Sequence, residues 1–134
     1  MTRYAIDHLV AVELARDGVV VPEEHQLVGP TLLRSHVLGY LYRAVRSGVL
    51  PEAEGRRLLD GVTTTKMRLL GDRVSRATAW RIAHELGWSD TGDAEYLAVA
   101  QLQADAFVTL DPVLRAAAEG RVPLADVEDL YSPS

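Results

Sequence analysis

The apolar positions switch repeatedly between a strand-like and a helix-like spacing. Thr2 to Ile6 predicts a short strand, and a helix follows from about Asp7 to Ala15, closing at Asp17-Gly18. Gln26 to Val28 predicts a second, very short strand. Pro30 then opens a long helix, with Leu33, Val37, Leu41, Ala44 and Val45 at helical spacing and Ser47-Gly48 as its stop. Pro51 takes the first-turn place of a third helix that runs to about Leu59. The β-branched and apolar run Thr63 to Leu70 predicts a strand, and a helix from about Asp72 to Leu86 ends before Gly87. Ser89 to Gly92 is a loop. Asp93 to Gln103 predicts a helix that is apolar on most faces, and so largely buried. Ala106 to Leu110 predicts a strand, Asp111-Pro112 the start of a last helix ending near Gly120, and Val122 to Val127 a final edge strand.

Strands alternating with helices predict the α/β class: a short parallel sheet with helices on both faces. The 134 residues suit one domain, expected over 1–127, with a weakly ordered tail over 128–134. No internal repeat or dividing linker is visible.

This fold class changes the reading of three aspartates. Strands of a parallel sheet share one C-terminal edge, where ligand sites of such folds sit. Asp7 ends the first strand and Asp111 ends Phe107-Val108-Thr109-Leu110, so both project from that edge. Asp93 starts the buried helix before the later strand and sits above the same edge if the preceding connection crosses there. Converging carboxylates repel unless something neutralises them. Protonation and arginine are two answers. A hard divalent cation with oxygen ligands, Mg²⁺ or Mn²⁺, is the third. Each aspartate also has a sufficient local role as a helix starter. Capping and metal binding are compatible.

Composition adds limits. The absence of cysteine excludes disulfides and thiolate chemistry, and a net charge of −5 argues against an ordinary basic nucleic-acid binder. Metal-holding carboxylates count as negative in that sum, so a nuclease is compatible with it. No apolar run is long enough to span a membrane and no secretory signal is visible, so a cytoplasmic location is expected.

Four segments resemble the PIN-domain family, particularly the VapC-type toxins of bacterial toxin–antitoxin pairs. They are Tyr4-Ala5-Ile6-Asp7, the stretch Gly29-Pro30-Thr31-Leu32-Leu33-Arg34-Ser35-His36-Val37-Leu38, Asp93-Ala94-Glu95-Tyr96-Leu97-Ala98-Val99-Ala100, and Val108-Thr109-Leu110-Asp111. They occur in the family's order and spacing over nearly the whole chain. The resemblance implies a Mg²⁺- or Mn²⁺-dependent endoribonuclease that forms a homodimer and is inhibited by a cognate antitoxin. It implies catalytic and metal-binding roles for Asp7, Asp93 and Asp111.

The chain departs from the family at His36, where a glutamate is usual. His36 is a variant ligand for Mn²⁺ or Zn²⁺, an ordinary helix histidine beside a working three-aspartate site, or the mark of lost catalysis. The last case gives the alternative function, a PIN-like interaction protein that binds an antitoxin-type partner without catalysis. Asp90, in the loop, is a spare carboxylate that can swing in, whereas Glu95 points elsewhere. His8-Leu9 also departs from the small or hydroxyl residues usual after the first aspartate.

Arg34, Lys66 and Arg68 are candidates for an RNA path, with Arg73 and Arg76 nearby; a solvated surface explains them equally. Lys66 is the single lysine, and its mid-chain place argues against a phosphoacceptor receiver domain. His8, His25 and His84 read as surface or structural residues. Trp80 and Trp88 are expected in core and helix-end packing. The long second helix carries more apolar residues (Leu38, Tyr40, Leu41, Tyr42) than one buried face needs. A dimer or antitoxin groove, or plain core, accounts for the excess.

Overall fold

The computed structural model describes residues 1–131. Four strands, β1 (Thr2–Ile6), β2 (His25–Pro30), β3 (Arg68–Leu70) and β4 (Ala106–Val108), form one sheet in the order β3-β2-β1-β4, and every neighbouring pair is parallel. Six helices connect them: α1 (His8–Asp17), α2 (Leu33–Arg46), α3 (Glu52–Thr64), α4 (Arg73–Glu85), α5 (Gly92–Gln103) and α6 (Pro112–Ala118).

The strand order explains the layers. The chain steps from β1 to β2 to β3 in one direction, then crosses back to β4 beyond β1. Right-handed crossovers place the helices of the two excursions on opposite faces. Accordingly α1, α2 and α3 pack on one another, while α4 packs on α5, which lies on β1 and β2. The α/β expectation, with helices around a parallel sheet, is met.

Local chemistry sets most helix ends. Asp7 caps α1 by accepting from the Val10 N–H, and Gly18 closes it with φ 62°, a left-handed turn suited to glycine. Asp72 and Ser75 form a reciprocal capping box at α4. Asp111 caps α6, with Pro112 in the first turn. Gly55 lets α3 approach α2: a Cβ there would stand 2.6 Å from Val45 Cγ2.

Five expectations need correction. β2 is longer than Gln26–Val28, and Pro30 ends it rather than opening a helix. As the last strand residue, Pro30 still accepts the parallel pairing with Leu70. α3 continues through Thr64, so the expected strand Thr63–Leu70 shrinks to Arg68–Leu70. The hydroxyls of Thr63, Thr64 and Thr65 bond back to carbonyls of the preceding turn, which lets β-branched residues finish a helix. β4 stops at Val108, before Leu110. Val122–Val127 makes a single bridge, Phe107 to Leu124, instead of an edge strand. Finally, Val127–Leu130 is a 3₁₀ turn whose Leu130 is fully buried, so the expected weak order fails there. The rest of that tail, 132–134, lies outside the described residues.

The core runs through Ile6, Val10 and Leu14 on one side and Tyr96, Leu97 and Val99 on the other, with Phe107 and Leu114 beside β4. α5 is buried along most of its length, as its composition predicts. Asp93 and Glu95, in its first turn, lie only partly inside.

Candidate functional site

Asp7 and Asp111 lie at neighbouring strand ends because β1 pairs in parallel with β4, Ile6 opposite Val108. Asp7 is fully buried. Its Oδ1 accepts the Val10 N–H at 2.8 Å, its Oδ2 accepts the Thr109 hydroxyl, and the Leu110 N–H also reaches it. Burial nevertheless holds this carboxyl above its ordinary range, with the negative charge of Asp111 adding to the rise and the three donors opposing it. Asp111 is partly exposed; its Oδ1 caps α6 through Val113 at 2.8 Å and Leu114 at 3.4 Å.

Asp93 reaches this edge from the start of α5. Burial raises its proton affinity first, and Asp111 and Asp90 raise it further, while His36 and His8 act in the opposite direction. No hydrogen bond to its carboxylate counters that rise among the described residues. The three aspartates thus share one electrostatic neighbourhood. Among the described residues, however, no three histidine, aspartate or glutamate side chains close into a ready ligand set.

His36 stands on the same side. Its Nδ1 lies 3.0 Å from the Tyr96 hydroxyl, which also accepts the backbone N–H of His8. His36 and Tyr96 thus share one hydrogen bond, whose direction follows the tautomer of the His36 ring. Burial pushes Tyr96 upward and keeps that hydroxyl protonated. The His8 and His36 rings meet edge to face at 5.2 Å. Burial lowers the proton affinity of both, the charge of Arg43 lowers it further, and Asp93 opposes the fall. The buried Nδ1 of His8 has no hydrogen-bond partner among the described protein groups.

Asp90 is exposed and does not swing inward: its Oδ1 accepts the Gly92 N–H at 2.8 Å. Gly92 lies against His36, since a Cβ there would stand 3.6 Å from the ring. Burial raises the proton affinity of Glu95, Asp90 adds to that rise, and Arg76 opposes it. Arg34, Lys66 and Arg68 are all exposed. Lys66 and Arg68 belong to the β3 side of the sheet, two strands away from the β1–β4 junction.

Sequence reasoning passed over Arg43 and gave Thr109 no role of its own at the site. His36, Tyr40 and Arg43 recur at intervals of four and three on α2, a spacing that puts them on one face and was a usable signal. His8 was read as a surface or structural residue; it is half-buried beside Asp93. Trp80 was expected in the core, yet 73% of it is exposed. Trp88 does pack at a helix end, half-buried. His25 is buried, edge-on to Tyr4 at 5.0 Å.

No family model matches this sequence, and no curated protein is significantly similar to it. Solved structures do match. The crystal structure of PAE2754 from Pyrobaculum aerophilum superposes with a TM-score of 0.72 over 97% of this chain and 94% of that one, at 24% sequence identity. At that identity the likeness speaks for the fold. No helix among the described residues is long and apolar enough to cross a membrane.

Proposed function

We propose that the aspartate edge binds Mg²⁺ or Mn²⁺ and that the protein is a metal-dependent endoribonuclease of PIN type, the toxin of a toxin–antitoxin pair. One observation carries this reading. Asp7 and Asp93 are both held above the ordinary carboxylate range at an edge they share with Asp111, and Asp93 has no donor to relieve it. A divalent cation is the neutralising partner that such oxygen donors favour. Asp93 and Asp111 would hold such an ion together with water, since no three side chains among the described residues stand ready as ligands.

The residues divide the work. Asp93 and Asp111 supply the accessible carboxylates. Asp7, engaged by Val10, Leu110 and Thr109, anchors the edge from below and contributes charge. Arg43, whose charge reaches His8 and His36, offers a cation for a phosphate. An ion held there would supply Lewis-acid stabilisation and lower the pKa of a water able to attack phosphorus. The exposed Leu38 and Tyr42 of α2, one turn apart, offer a surface for an antitoxin or a second copy.

The test pairs calorimetric titration of Mg²⁺ and Mn²⁺ with an RNA cleavage assay. Binding and cleavage that both vanish in Asp93→Asn support the enzyme. Wild-type protein that binds neither ion and cuts no RNA would sink it. The second reading, an antitoxin-binding protein without catalysis, draws on His36, whose Nδ1 is already committed to Tyr96.

A further inference from the structure

Trp80 does not sit where an unconstrained tryptophan would. It is 73% exposed on α4, and it borders a cavity of about 410 Å³ with Trp88, His84, Asp90 and Thr91. A large aromatic face left in water beside a cavity marks a surface built to take a flat or apolar partner.

The surroundings narrow the partner. Arg73, Arg76, Trp80 and His84 recur on α4 at intervals of three and four, and all are exposed. That spacing makes one stripe, two guanidinium groups leading to an aromatic ring and an imidazole. Arg76 shares its charge with Glu95 and bonds the Gly71 carbonyl at 3.3 Å, which leaves Arg73 as the more available cation. Cations for phosphates and aromatic faces for bases are the combination that single-stranded nucleic acid requires. The Asp90 carboxylate, at the cavity wall, suits the exocyclic amino group of a base rather than a phosphate.

The cavity also adjoins the aspartate edge. Asp90 bonds Gly92, Gly92 lies against His36, and the charge of Asp90 acts on both His36 and Asp93. A base seated in this cavity therefore lies beside Asp90, whose charge reaches both His36 and Asp93.

We propose that the Trp80–Trp88 cavity is a base-stacking subsite that seats an unpaired nucleotide of single-stranded RNA beside the aspartate edge. The assignment rests on the nuclease reading for its substrate, but its test is one of binding. A short, unstructured, fluorescein-labelled RNA is titrated into the full chain in EDTA and followed by anisotropy and tryptophan quenching. Stacking at one base predicts that Trp80→Ala weakens binding about tenfold or more. Trp80→Phe keeps most of the affinity, and a duplex of the same length competes poorly. Trp80 is exposed, so the variants keep the fold, which circular dichroism checks. Unchanged RNA affinity in Trp80→Ala would overturn the subsite. So would loss of self-association in that variant with RNA binding intact, which would make the stripe an interface between copies. RNA that binds through Trp80 but is never cut with either metal would overturn the nuclease reading and leave the subsite standing.

Discussion

The Thr109 hydroxyl joins Asp7 to the backbone of Asp111. It donates to Asp7 Oδ2, 102 positions away, and accepts the Asp111 N–H at 3.0 Å. One oxygen therefore fixes the end of β1 against the end of β4 and helps a fully buried carboxylate carry charge.

Thr109→Val removes that oxygen with little change of shape. It leaves Asp7 short of one donor and Asp111 N–H short of its acceptor in a nearly buried place. The loss should be about 2 kcal/mol at neutral pH, read from urea unfolding, because buried polar groups lose their partners. Thr109→Ser retains the hydroxyl and should recover most of it.

Asp93→Asn should stabilise the protein and, on the nuclease proposal, abolish cleavage. Asp93 has a raised proton affinity in the folded state, so folding favours its protonated form. Its contribution is fully present below the unfolded pKa and is lost as pH rises through the folded one. Asparagine removes that loss. After allowance for solvent screening, the gain at pH 7 is about 0.5 kcal/mol. It should fade as the pH falls below the unfolded value. Thermal melts across the acid range check the sign, and a gain that persists in strong acid contradicts it. Mg²⁺ or Mn²⁺ should raise the melting temperature of the wild type more than that of the variant.

His36→Glu introduces an oxygen donor and a negative charge beside Asp93. Metal affinity should rise about tenfold, since ligand charge tunes such sites. Titration calorimetry with Mg²⁺ measures it directly. Unaltered affinity would place His36 outside the metal's reach and leave it as the partner of Tyr96.

Gly55→Ala tests packing far from the edge. Alanine favours a helix by up to about 1 kcal/mol. The added Cβ, however, meets Val45 Cγ2 at 2.6 Å, and overpacking costs about 1–3 kcal/mol. A net destabilisation of about 1 kcal/mol should appear as a lower melting temperature.

Much of this architecture was legible because local signals and tertiary demands agree. Asp7, Gly18, Asp72, Gly87 and Asp111 punctuate helices in the structure as their residue types suggest. The misreadings occur where neighbours decide. Pro30 looks like a helix opener, but pairing with β3 holds it in the sheet. Thr63 and Thr64 look like strand residues, but side-chain bonds to the preceding turn keep them helical. For the site, the common edge of Asp7 and Asp111 follows from parallel topology alone. The contribution of Thr109 depends on which way one hydroxyl points, and that of His8 on how deeply α1 is buried. Exposure of Trp80 is equally invisible in sequence, because an aromatic on an amphipathic helix is ordinarily turned inward.

The pairing of β4 with β1 also sets a timetable. As the chain leaves the ribosome, β1 emerges long before β4 and waits with one edge open until residue 106 and beyond are made. Until then Asp7 has no Thr109 to hold it, and Asp111 does not exist. A chain interrupted between residues 93 and 106 already holds Asp7 and Asp93 but lacks Asp111 and the strand that seats it. Whatever chemistry that edge performs therefore waits until β4 has docked beside β1, and a nascent chain that has not yet made β4 is inert.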